Sequence, residues 1–113
     1  EVRNLDDITV IIPVKNEERV IKETIRRVLD AEYPATKSVI VVDDGSTDET
    51  AATAASYGSQ ITLIQQENRG LAGARNTGIE RARGEFVALL DSDEAPGAEE
   101  NVGRARSTRE GKR

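Results

Sequence analysis

Cysteine, histidine, methionine and tryptophan are all missing from this chain of 113 residues. Without the first two there can be no disulfide framework, no zinc site of the Cys/His type, no thiolate nucleophile and no imidazole acid or base. Any chemistry must use carboxylates, Lys, Arg, hydroxyl groups or a bound metal. The lack of cysteine is compatible with a reducing compartment. No apolar run approaches the roughly 20 residues of a membrane-spanning helix, and the N-terminus lacks the apolar core of a signal peptide. A basic excess is absent as well: the net charge is −5, which argues against nucleic acid as a partner. Neither the P-loop nor the Gly-x-Gly-x-x-Gly pattern occurs, so phosphate cradling by those loops is not supported.

What is present fits one soluble domain, with 36% apolar and 33% charged residues. Its centre is Phe86-Val87-Ala88-Leu89-Leu90, five consecutive apolar residues that end in Asp91-Ser92-Asp93. A run apolar at every position suits a strand covered on both faces, as in a parallel sheet flanked by helices. Alternation along an extended chain lets Asp91 and Asp93 point the same way. Two aligned carboxylates repel unless a cation lies between them, and a hard divalent ion is the natural candidate.

The pattern recurs along the chain. Ile8 to Ile12 reads as a strand stopped by Pro13, and Val39 to Val42 as a second strand that again runs into acid, at Asp43-Asp44. Ile61 to Ile64 reads as a weaker third. Between them, Asn16 is expected to cap an amphipathic helix with Val20, Ile21, Ile25, Val28 and Leu29 on one face. Ser46 and Glu49 form a Ser-x-x-Glu capping box for an Ala-rich helix ended by Gly58. A glycine-spaced basic segment from Asn68 to Gly78 enters a third helix that runs to about Arg83, with Gly84 as its stop. The β-α-β-α-β-α-β series predicts a doubly wound α/β fold, a mostly parallel sheet with helices on both faces. An isolated Asp-Asp-Gly-Ser also reads as a plain turn. Arg75 on its own reads equally as a solvent-facing helix residue. The functional reading comes from convergence: the acidic strand ends, the turn after Pro13 and the Gly/Arg-rich loop all fall on one edge of such a sheet, where ligands of α/β proteins bind.

Four segments, Ile8 to Glu17 (ITVIIPVKNE), Val41 to Thr50 (VVDDGSTDET), Asn68 to Gly78 (NRGLAGARNTG) and Arg83 to Asp93 (RGEFVALLDSD), in this order and spacing, resemble the N-terminal, nucleotide-binding half of family 2 glycosyltransferases. The resemblance implies a GT-A, Rossmann-like fold and transfer of a sugar, with inversion, from a nucleotide-diphosphate-sugar, UDP- or GDP-linked, to an acceptor hydroxyl with Mn²⁺ or Mg²⁺. By position, Pro13, Val14 and Glu17 are similar to the wall for base and ribose, and Asp44 to the carboxylate that recognises the base. Gly70 and Arg75 fall in the second nucleotide-contacting segment. Asp91-Ser92-Asp93 resembles the D-x-D motif, with Asp91 towards ribose and metal and Asp93 the direct ligand.

Beyond Asp93 the match fails. The segment 94–113 is polar, with Val102 its only large apolar residue, and is expected to be a disordered tail after a donor-binding domain spanning 1–93. No residue matches the family's acceptor-activating carboxylate, so the catalytic base is expected to be missing, the chain to be a truncation, and the isolated piece to be weakly active or inactive. The strand Phe86 to Leu90 is then expected to expose an unpaired edge and to drive self-association. The expected location is cytoplasmic or, for a longer parent, the cytoplasmic face of a membrane. Two rival readings are a non-catalytic nucleotide-sugar-binding module and a Mg²⁺-dependent phosphoryl-transfer or receiver-like α/β domain.

Overall fold

In the computed structural model the described residues are 7–33, 37–83, 86–90 and, for the backbone alone, 101–104. Parallel strands β1 (Ile8–Val14), β2 (Lys37–Asp44), β3 (Thr62–Gln66) and β4 (Phe86–Leu89) alternate with helices α1 (Ile21–Asp30), α2 (Thr50–Ala55) and α3 (Gly70–Arg81). A fifth strand, β5 (Asn101–Arg104), pairs antiparallel with β4, giving the order β3-β2-β1-β4-β5. The doubly wound α/β arrangement expected from the sequence is therefore present. Among the described residues no helix is long and apolar enough to cross a membrane.

Burial on both faces explains the uninterrupted apolar runs. Val10, Ile12, Val14, Val39 and Val41 pack under Ile21, Ile25 and Val28 of α1 and Ala54 of α2, whereas Ile11, Ile40, Val42 and Val87 pack under Ala74 of α3 and Ala82 just beyond it. The chain climbs outward from β1 to β3 with α1 and α2 on one face. It then returns through α3 on the other face to place β4 beside β1, so the strand order reverses between β1 and β4. In such sheets the point of reversal opens a crevice at the carboxyl ends of the strands. A receiver-like sheet runs 2-1-3-4-5, so the observed order weighs against that rival.

Three expectations are corrected. β1 does not stop at Pro13 but continues to Val14, paired with β2 along its whole length. Leu90 donates to the Ile11 carbonyl, which faces β4, so by alternation the missing N–H of Pro13 also faces that side. Pairing with β4 has already ended there, at Ile11–Leu89, and the ring breaks no ladder bond. Second, β5 occupies the edge of β4 on which self-association was expected, and four residues of the supposed tail form regular structure. The pairing runs through the backbone, which needs no apolar alternation to advertise it. Third, Asn16 and Ser46 do not cap helices. α1 begins at Ile21 and α2 at Thr50, neither with a side-chain cap, and both residues bond elsewhere. Gly84, the expected stop of α3, lies outside the described residues.

Candidate functional site

All four parallel strands end at one rim, and the loops that leave them are tied together there. Asp43 and Asp44 are the last residues of β2, and both are buried, at 3% and 4% exposure. Being consecutive, they face opposite sides of the sheet. Asp43, on the α1 side, accepts from the Ser46 backbone N–H at 3.2 Å. Asp44, on the α3 side, accepts from three donors. Its Oδ1 takes Gln66 Nε2 at 2.9 Å and the Arg69 N–H at 2.8 Å, and its Oδ2 takes the Gly70 N–H at 2.9 Å. A carboxylate at the first amides of a twelve-residue helix satisfies donors that have no partner within the helix and sits at the positive end of its dipole.

Gly70 enters α3 with φ at 84°, a left-handed conformation that glycine adopts without steric cost. Its N–H is shared between Asp44 and Asn68 Oδ1, the latter also at 2.9 Å. Gln66 completes a second link to α3 by accepting from Thr77 Oγ1 at 2.8 Å. Gly45, at φ 87°, allows the two loops to touch: a Cβ there would meet the Asn68 backbone nitrogen at 3.0 Å.

The structure therefore brings Pro13, Asp44 and Gly70 to the α3 side of the rim. Val14, adjacent to Pro13, turns its side chain into the core under α1 at 3% exposure. Only its backbone can line a ligand site. Glu17 follows in the β1–α1 loop and is half-buried, and Arg75 lies half-buried on α3 about one and a half turns in from the Asp44 anchor. Asp91 and Asp93 lie outside the described residues. The strand that precedes them in the chain, β4 (Phe86–Leu89), is parallel to β1 and β2 and ends at the same rim as Asp44. Among the described residues no group of three or more acidic side chains could hold a metal, and Asp43 and Asp44 are already committed to N–H donors.

Sequence reasoning missed the contacts between the first two loops, where Asn16, Ser46, Thr47 and Thr50 bond across roughly thirty residues of chain. A signal existed. Val14 lies opposite Asp43 in the β1–β2 register, so polar residues just beyond each strand end come side by side.

A family model described as Glycosyl transferase family 2 matches residues 9–100. The glycosyltransferase AglE of Haloferax volcanii is 42% identical over 94 residues, covering 79% of this chain and 31% of AglE. The mannosyltransferase PcManGT from Pyrobaculum calidifontis, solved with GDP-Man and Mn²⁺, superposes with a TM-score of 0.74 at 35% identity, covering 82% of this chain and 29% of that one. S. aureus TarS 1-349, solved with UDP-GlcNAc, gives a TM-score of 0.71 at 34% identity, covering 77% and 26% respectively. The chain thus spans about a third or less of the length of these relatives.

Proposed function

The chain belongs to glycosyl transferase family 2, and from that premise we propose that it is the donor-binding part of an inverting glycosyltransferase, which moves a sugar from a nucleoside diphosphate to an acceptor hydroxyl. The donor is a UDP- or GDP-linked sugar, a reading supported by the GDP-Man and UDP-GlcNAc bound to two similar structures. The observation that carries it is the convergence of four parallel strand ends on one rim beside the reversal of strand order, where α/β sheets bind nucleotides.

Within this reading Pro13, the Val14 backbone and Glu17 form the wall against base and ribose. Asp44 recognises the base and also fixes the entry of α3, so that Gly70 and Arg75 meet the nucleotide from a held helix end. Asp91 serves ribose and metal, and Asp93 is the direct ligand. A bound Mn²⁺ or Mg²⁺ would neutralise charge on the departing nucleoside diphosphate. Inversion requires the acceptor oxygen to attack the sugar's anomeric carbon from the face opposite the phosphate. The acceptor proton then passes to a base, a role we assign to no residue of 1–113. We place the protein in the cytoplasm or at the cytoplasmic face of a membrane.

Calorimetric titration of UDP and GDP, with and without Mn²⁺, tests the reading. Binding should require the metal and should weaken at least tenfold in Asp93→Ala. Metal-independent binding that survives the substitution would contradict it.

A further inference from the structure

Side chains to which the nucleotide site assigns no role fasten two of its loops together. Asn16 sits in the left-handed region at φ 54°, which Asn tolerates better than most residues. From there its backbone N–H donates to Ser46 Oγ at 2.7 Å. Its side-chain Oδ1 accepts from the Thr47 N–H at 2.8 Å and from Thr47 Oγ1 at 3.3 Å. The bonding is reciprocal, since each loop gives the other one backbone donor and one side-chain acceptor.

Further contacts extend the clasp towards the helices. The Glu17 N–H donates to Thr50 Oγ1 at 2.8 Å, and the Glu49 N–H to Glu18 Oε1 at 2.9 Å. Thr50 is fully buried and is itself fixed by Asp48 Oδ1, which accepts its N–H at 2.9 Å and its hydroxyl at 2.5 Å. The β1–α1 loop therefore cannot move away from the β2–α2 loop without breaking several bonds at once.

We infer that Asn16 is a positioning residue for nucleotide binding, which holds the loop after Pro13 and Val14 at a set spacing from the loop after Asp44. The inference rests on the nucleotide reading of the rim. Loops free to separate would have to be ordered when ligand arrives, and that ordering weakens affinity; loops already fastened avoid the loss. The effect is selective. The clasp spaces the wall assigned to base and ribose, whereas the diphosphate and its ion are assigned to Asp91 and Asp93, after a different strand.

Asn16→Gly tests this, because glycine keeps the left-handed backbone accessible while deleting both bonds made by Asn16 Oδ1. Asn16 is exposed, so the variant should fold. Nucleoside diphosphate with Mn²⁺ should bind about tenfold more weakly, while inorganic pyrophosphate with Mn²⁺ binds as it does to the unsubstituted chain. Ser46→Ala, which removes the acceptor of the Asn16 N–H, should give the same selective loss. Parallel weakening of nucleotide and pyrophosphate, or unchanged nucleotide affinity in Asn16→Gly, overturns the inference and leaves the nucleotide reading intact. If the unsubstituted chain binds no nucleoside diphosphate, the reading itself fails and the inference falls with it.

Discussion

Helices α1 and α3 cover opposite faces of the same parallel strands by opposite means. α1 does so with large side chains, Ile21 and Ile25 fully buried and Val28 nearly so. α3 does so with small ones, Ala74 and Gly78, and lies so close that a Cβ on Gly78 would stand 2.4 Å from Ile11 Cγ2. Their anchors differ too. Lys37 at the start of β2 donates through Nζ to the carbonyls of Val28, at 2.6 Å, and of Ala31, tying the C-terminal end of α1 far from the rim. Asp44 at the end of β2 ties the N-terminal end of α3 at the rim itself. Each charge complements the helix dipole it meets. The lesson is a contrast along one strand: the body of α1 is held by large buried side chains away from the rim, whereas α3 is held at its first residues by Asp44, at the rim proposed here to bind the nucleotide.

That contrast can be broken by substitution. Ile25→Ala should have the largest effect on stability, about 4 kcal/mol from lost burial and the cavity left behind. Nucleotide affinity of the remaining folded protein should not change, as chemical denaturation and calorimetry would show. Gly78→Ala should lower stability by about 2 to 3 kcal/mol through overpacking against Ile11. Unlike the α1 substitution it should weaken nucleotide binding as well, because α3 must shift at its anchored end. Asp44→Asn replaces one acceptor oxygen with a donor that faces N–H groups, at a cost of about 2 kcal/mol. Affinity should fall with it, so a loss of stability alone would separate the anchor from the site.

The smallest effect concerns Asp48, whose bond from Thr50 holds its carboxyl below the usual carboxylate range. A depressed acid contributes stability that is present above its unfolded value, about 4, and is lost as pH falls through the lower folded value. The thermal midpoint should therefore change little from pH 8 to 5 on account of this group. It should fall below about pH 4, and less steeply in Asp48→Asn.

The elements of this fold were legible because burial on both faces writes an uninterrupted apolar run into each inner strand. β3 was fainter because it lies near the sheet edge with Thr62 and Gln65 exposed. β5 was illegible, since pairing through the backbone asks little of its side chains. At the site, the acids at the strand end were plain in the sequence, but their partners were not. Asn16 and Ser46 carry the local signature of helix caps, and only the adjacency of β1 and β2 turns them towards each other. The clustering of Asp44 with Gly70 likewise depends on chain returning from 25 residues or more away.

Paramagnetic broadening of backbone amides by Mn²⁺, bound together with UDP or GDP, tests the rim most directly. The account predicts loss of the signals of Val14, Gly45, Gly70 and Leu90, with Ile8, Lys37, Thr62 and Phe86 at the opposite end of the sheet unaffected. Broadening centred on that opposite end, or spread evenly over the sheet, would contradict it.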